Sequence, residues 1–214
     1  VNFGHFSAEG LLLFKMGAKY VMEKLQQVEL AKNLDSLAAF ADCVSTMISA
    51  DFVPFDVFQI YEDETLAQFL TTLSEYLATL ELGFLFGEKS IALKLTKLAK
   101  ALSLHLSRFK TDPNLFLFVA QTAMCSGDSR ISTLGSDIVQ EIFYVFPEVE
   151  YRSFDMKSVF TIICCLLRRV LDGDTYGAPK LIFEIGQHFP VLLRDAITEL
   201  QKQLPNEEEI SELL

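Results

Sequence analysis

Residues 155–171 read DMKSVFTIICCLLRRVL, and their pattern of apolar residues is the clearest indication of the fold class. Its apolar side chains recur every three to four residues, which is the period of an α-helix rather than the alternation of a strand. They form two adjoining faces and leave only a narrow strip at Thr161, Cys164 and Arg168. The faces comprise Met156, Phe160, Ile163, Leu167 and Val170 on one side, and Val159, Ile162 and Leu166 on the other. A helix this apolar must be covered on two sides, as in the middle of a layered helical protein.

The same helical period extends along the chain in both directions. Helices are predicted over 7–32, 36–49, 65–82, 90–109, 114–126, 129–146 and 155–171, with two more flanking Pro190. The predicted N-caps are Ser7, Asp35 or Ser36, Asp63 or Thr65, Ser90 and Asp155. Gly83 is expected to end one helix and Gly135 to interrupt another, while the turn-rich loop LDGDTYGAP precedes a helix that starts near Pro179. The predicted fold class is all-α.

Successive predicted helices pair across short loops, and the pairs recur at roughly 40 to 50 residues, which is the size of an armadillo or HEAT unit. By helix length, loop brevity and amphipathic pattern, the whole chain resembles the armadillo/HEAT class of helical-repeat proteins. The resemblance implies a right-handed superhelix of stacked helical hairpins, which binds proteins and has no catalytic site of its own. The alternative architecture is a compact, non-repeating helical bundle.

The chain has 214 residues, half of them apolar, so it can bury a sizeable core without disulfides. We expect residues 1–214 to form one helical, repeat-like domain. The chain begins at Val1 rather than Met and closes on a short predicted helix, EEEISELL, so we expect it to be a piece of a longer protein.

Several features of the sequence predict an intracellular protein, cytoplasmic or nuclear. The longest apolar run, VFTIICCLL at 159–167, is too short to span a membrane, and the first residues lack the basic region of a signal peptide. Cys43, Cys125, Cys164 and Cys165 show no metal-binding spacing, and we expect them to be reduced thiols. N-glycosylation sequons are also absent.

A basic segment stands out in a chain whose net charge is −11. Residues 88–110 contain six basic residues and one acid, Glu88. The helix predicted there has one apolar face, made of Ile91, Leu95, Leu98, Leu102, Leu106 and Phe109. Its opposite side carries Lys94, Lys97, Lys100 and Arg108, with Leu93 and Leu104 among them. This mixture predicts a binding surface for an acidic amphipathic peptide, although a solvated helix back explains the charges equally simply.

A second candidate surface is the stretch FVPFDVF at 52–58. If Pro54 lies in the first turn of a short helix, Phe52, Phe55 and Phe58 share one face. The three rings then either wedge a connector helix against its neighbours or stay partly open, beside the acidic run at 62–64, for a basic and hydrophobic partner.

The sequence indicates no catalytic, metal or cofactor site. His5, His105 and His188 fit no metal motif, and the loop from Asp172 fails as a calcium loop because Phe183 stands at its twelfth position. Cys125 and His105 could meet as a nucleophile and base, but no motif supports this.

The resulting hypothesis is a non-enzymatic scaffold that binds a partner protein or peptide on a helical-repeat surface. Its alternative is a regulatory module that binds an acidic ligand, either nucleic acid or phosphoinositide, through the basic helix, although the net negative charge makes nucleic acid less favourable. Exposed repeat faces could also form an oligomer with a like or unlike chain.

Overall fold

The structure, a computed structural model, describes residues 16–21, 23–24, 33–49, 64–109, 111–146 and 148–203. Regular secondary structure in these ranges is helical throughout, which confirms the all-α prediction for this part of the chain. The α-helices are α1 (Leu34–Ile48), α2 (Glu64–Thr79), α3 (Leu82–Leu85), α4 (Lys89–Ser103), α5 (Pro113–Met124), α6 (Ser129–Val145), α7 (Met156–Leu171), α8 (Gly177–His188) and α9 (Pro190–Gln203). Short 3-10 helices span Leu106–Arg108 and Glu148–Ser153, and residues 16–21 and 23–24 are also helical.

Four of the described helices begin at a side chain that accepts hydrogen bonds from the first backbone N–H groups. These N-caps are Asn33 for α1, Asp112 for α5, Asp128 for α6 and Asp155 for α7. The cap predicted at Asp155 is thus confirmed. The prediction of Asp35 or Ser36 for α1 is wrong because both lie inside the helix and donate their backbone N–H groups to Asn33 Oδ1.

Three predicted helix boundaries and one predicted interruption are also wrong. Ser90 lies inside α4 rather than capping it, because the helix begins one residue earlier, at Lys89. At its other end, α4 stops at Ser103, before the 3-10 helix, and does not continue to Phe109. Gly83 lies within α3 instead of ending α2. Gly135 does not interrupt α6, which runs unbroken, because this glycine is buried where α6 packs against α5.

The described helices pack in an order that follows the chain. Helix α4 packs against α1 and α6, and α6 also contacts α8. On the other side, α5 packs against α7, and α7 against α9. Sequential contacts between α5 and α6, and between α7 and α8, join these two rows. The extensive contacts among described helices therefore join near neighbours in chain order.

One continuous apolar core extends from the helical residues near Ala18 to Leu200 in α9. Helix α7 lies in its middle, with α5, α8 and α9 packed against it. The second predicted face of α7 is fully buried, and so are Ile163 and Leu167 of the first. Met156 is 37% exposed, so the first predicted face is wrong at its N-terminal end. The core confirms the prediction that α7 is covered on more than one side.

Candidate functional site

The basic helix is α4, and it is more deeply packed than its charge suggests. It contacts α1, α5 and α6, and its predicted apolar face is buried throughout. The buried residues are Ile91, Leu95, Leu98, Leu102, and, beyond the helix end, Leu106 and Phe109. Only a narrow strip of α4 remains for solvent or a partner.

The predicted lysines differ in how they meet solvent. Lys97 is exposed, whereas Lys94 and Lys100 are half-buried. Lys100 Nζ lies 3.5 Å from Glu141 Oε1 on α6, so its charge is partly compensated. Within the described residues, neither Lys94 nor Lys97 forms an ion pair. Lys97 and Lys89, the first residue of the helix, are the two lysines of α4 that are exposed to solvent.

The two leucines predicted to face outward among the lysines are half-buried. Leu93 packs against a small cluster formed by Ala92, Ala123 and Ile131, where α4 meets α5 and α6. A partner on this strip can therefore bury less apolar area against the two leucines than the sequence predicted. The charges of the lysines contribute a larger share of the proposed binding.

The remaining predicted site residues lie outside what the structure describes. Arg108 ends the 3-10 helix that follows α4, and its side chain is not among the described ones. Phe52, Phe55 and Phe58 fall in the undescribed range 50–63. Of the seven predicted residues, the structure thus brings together Lys94, Lys97 and Lys100 on one helix.

A pair of thiols forms a second candidate site that the sequence did not indicate. Cys125 is the residue at which α5 ends, and Cys165 lies near the middle of α7. The packing of α5 against α7 brings their sulfur atoms to 3.4 Å, although the residues are 40 positions apart. Both are free thiols in the structure; Cys125 is exposed and Cys165 half-buried.

The environment makes the two thiols chemically unequal. A hydrogen bond from the Cys165 thiol lowers the pKa of Cys125 to about 7; burial opposes this shift, and the positive charge of Arg168 adds to it. The same hydrogen bond raises the pKa of Cys165, and burial raises it further. A thiolate is the reactive form of cysteine, so Cys125 is the nucleophilic member at neutral pH.

The thiol pair lines a cleft of about 480 Å³. Its walls are the turn between α5 and α6, the first turn of α6 and the last turn of α7. Arg168 and Arg169 contribute positive charge, and Asp128 and Asp172 contribute negative charge. Arg169 donates hydrogen bonds to Ser136 Oγ and to Asp174 Oδ2, whereas Arg168 donates to the side-chain oxygen of Gln203. Because Cys125 is exposed at this cleft, a small molecule can reach its sulfur from solvent.

Two weaker candidates acquire structural roles instead. Nε2 of the buried His105 lies 2.8 Å from the carbonyl oxygen of Ile48, so this nitrogen ties the end of α4 to α1 rather than to Cys125. In the Asp172 loop, Asp174 accepts hydrogen bonds from the backbone N–H groups of Tyr176 and Gly177. In the described part of the chain, no group of three or more His, Cys, Asp or Glu side chains is arranged to hold a metal ion.

Sequence patterns could not have found the thiol pair, because neither cysteine belongs to a motif and the contact arises only from helix packing. None of the described helices is long and apolar enough to cross a membrane. No protein-family model, curated protein or solved structure matches this chain. Its function is therefore inferred from its own geometry.

Proposed function

We propose that this chain is a non-enzymatic scaffold, an armadillo/HEAT-like stack of helical hairpins that binds a partner protein or peptide on its surface. The observation that carries the proposal is the order of helix contacts. Extensive contacts among the described helices join elements at most three apart in chain order, as expected where each hairpin touches only its neighbours. A compact bundle would instead bring helices from distant parts of the chain together. Such a stack offers an extended outer surface for recognition.

The proposed binding surface is the solvent-facing strip of α4, which includes Lys94, Lys97 and Lys100. Two of these lysines have no ion-pair partner among described residues, so an acidic partner segment would supply compensating charge. Half-buried Leu93 and Leu104 add limited apolar contact along the same strip. Complementary charge of this kind speeds encounter and sets the register of a bound segment.

Arg108 and the surface formed by Phe52, Phe55 and Phe58 remain part of the hypothesis. Arg108 would extend the basic strip beyond the end of α4. The phenylalanines would receive a basic, hydrophobic segment, either of the same partner or of another one.

An acidic peptide suits the strip better than nucleic acid or a phosphoinositide headgroup. Phosphate binding gains affinity from several cations that act together. Here Lys100 already faces Glu141, and Lys94 is half-buried. A peptide with spaced carboxylates can meet such separated cations one at a time.

The test is affinity capture from cell extract with the full chain, compared between two charge-reversed variants. The binding variant combines Lys94→Glu and Lys97→Glu; Lys100 is kept because a glutamate there would face Glu141 and confound the result. The matched control combines Lys157→Glu and Arg194→Glu, which replace exposed residues of α7 and α9 and change the net charge equally.

We expect the binding variant to lose a specific protein that the wild type and control retain, by about tenfold or more. Equal capture by all three chains would remove α4 from the proposal. Repeating the capture at two salt concentrations separates the ligand classes, because phosphate binding weakens log-linearly and steeply with salt. Retention of nucleic acid that salt disrupts in this way would favour the alternative ligand.

A further inference from the structure

We propose that Cys125 and Cys165 form a hydroperoxide-responsive pair that closes to an intramolecular disulfide. The two sulfur atoms lie 3.4 Å apart, and both residues are free thiols. A disulfide needs a sulfur–sulfur distance of about 2.05 Å, so the sulfurs must approach by little more than ~1.3 Å. Cys125 ends α5 at a turn that continues to Gly127, which adopts a positive φ of 70°, so the approach involves a turn rather than a helix interior. This inference does not depend on the proposed partner binding.

The positions of the two thiols assign them different roles. Cys125 is exposed and borders the cleft, so a hydroperoxide can reach its sulfur. Cys165 is half-buried behind it in α7 and can reach that sulfur from inside the protein. Arg168 favours the thiolate of Cys125 and the developing negative charge on the leaving oxygen. Cys125 is therefore the attacking residue and Cys165 the resolving one.

The chemistry proceeds in two balanced steps. The Cys125 thiolate attacks the terminal oxygen of the hydroperoxide, the O–O bond breaks, and a sulfenic acid forms while the leaving alkoxide or hydroxide takes up a proton. The Cys165 sulfur then attacks the Cys125 sulfur, the S–O bond breaks, and the hydroxide leaves as water with the proton from Cys165. Overall, two thiols and one hydroperoxide give a disulfide, an alcohol or water, and a further water.

The product joins the turn after α5 to the middle of α7. It closes a loop between residues 125 and 165, across the wall of the cleft. Oxidation would therefore add a covalent link between the turn after α5 and helix α7, which otherwise only pack against each other. It would also convert the Cys125 thiolate at the cleft into a disulfide sulfur.

The experiment treats the 214-residue chain with hydrogen peroxide, blocks remaining thiols with iodoacetamide and maps tryptic peptides by mass spectrometry without reduction. Cys125 falls in peptide 111–130, whereas Cys164 and Cys165 share peptide 158–168. In the Cys164→Ala variant, Cys165 is the one cysteine left in peptide 158–168, so a cross-link to that peptide identifies Cys165. Cys43→Ala is the matched control for a cysteine on α1.

We expect peptides 111–130 and 158–168 to appear as one species whose mass is the sum of both, less two hydrogen atoms, and which dithiothreitol separates. The cross-link should persist in the Cys164→Ala and Cys43→Ala variants and disappear in Cys165→Ala. In Cys165→Ala, dimedone should instead trap the sulfenic acid on Cys125. Oxidation of Cys125 to the sulfinic acid in the Cys164→Ala background, without any cross-link, would overturn the proposal. Cross-links that involve Cys43 in preference to Cys165 would overturn it as well.

Discussion

A Cβ atom placed on Gly135 would lie 2.9 Å from the carbonyl oxygen of Ala120. It would also meet Met124 Cγ at 2.9 Å and Ala123 Cβ at 3.1 Å. All three neighbours, Ala120, Ala123 and Met124, belong to the buried face of α5. The absence of a side chain at Gly135 therefore sets how closely α6 approaches α5.

Gly135→Ala should destabilise the protein. Overpacking of a well-packed core typically costs about 1–3 kcal/mol, whereas alanine gains about 1 kcal/mol over glycine in helix propensity. We expect a net loss of up to about 2 kcal/mol in the free energy of unfolding, towards the upper end because the nearest obstacle is backbone. Urea denaturation followed by circular dichroism measures it.

Gly83→Ala is the matched control for that experiment. A Cβ at Gly83 meets nothing within 4 Å, and this glycine is exposed in α3. Its substitution should leave stability unchanged or raise it by up to about 1 kcal/mol. If both alanine variants were as stable as the wild type, the close approach of α6 to α5 would be wrong.

Asp155→Ala should weaken the start of α7. The Asp155 carboxylate accepts hydrogen bonds from the backbone N–H groups of Lys157 and Ser158 and from the Ser158 hydroxyl. Loss of such an N-cap costs about 1 kcal/mol, measured as a drop in the free energy of unfolding at pH 7. Asp155→Asn keeps an acceptor and should recover most of the loss.

The cost of Asp155→Ala should also depend on pH. The hydrogen bond from the Ser158 hydroxyl lowers the pKa of Asp155, burial opposes this, and the two backbone N–H groups lower the pKa further. A carboxyl group whose pKa is lower in the folded state adds stability above its unfolded pKa of about 3.9, and this stability is lost as pH falls through the folded value. Denaturation from pH 7 to pH 3 should therefore show the wild type and Asp155→Ala converging below about pH 4. A constant difference throughout would contradict the assigned role of the carboxylate.

Asn114 should be needed to dock the start of α5 onto the start of α7. Its side-chain nitrogen donates to the Ser153 carbonyl oxygen at 3.0 Å, and its side-chain oxygen accepts from the Asp155 backbone N–H at 2.6 Å. Asn114→Ala removes both bonds, each worth about 1 kcal/mol, and should speed hydrogen exchange at the Asp155 amide. Asn114→Asp keeps the acceptor alone and should preserve slow exchange at that amide while still losing stability. Unchanged exchange in Asn114→Ala would show that the contact does not protect the junction.

The helices themselves could be predicted because each has a strong apolar period. The buried face of α4 was predicted residue by residue, since Ile91, Leu95, Leu98 and Leu102 recur at helical spacing. Gly135 shows where local rules fail. Glycine weakens an isolated helix, but tertiary packing against Ala120 requires it, and α6 stays continuous.

The candidate sites were harder to predict because they depend on contacts between helices. The sequence placed Lys94, Lys97 and Lys100 on one side of a helix, but it could not reveal that Glu141 of α6 reaches Lys100. Cys125 and Cys165 meet across 40 residues, and only the packing of α5 on α7 brings them together. Periodicity identifies which face is buried and leaves open what it is buried against.

Cys165→Ala should make Cys125 less reactive at neutral pH. The hydrogen bond from Cys165 is the largest cause of the low pKa of Cys125, and its removal should raise that pKa toward the ordinary value of about 8.5. Iodoacetamide labelling of Cys125, followed by mass spectrometry from pH 6 to pH 9, should show a midpoint near pH 7 in the wild type and a higher one in the variant. At pH 7 the rate should fall by about five- to tenfold, since fewer molecules carry the thiolate.

The other charged groups that line the cleft are the same in both chains: Asp128, Arg168, Arg169 and Asp172. Cys164→Ala, one position away on α7, should leave the midpoint unchanged, so an equal shift in both variants would assign the effect to repacking of α7 rather than to the hydrogen bond.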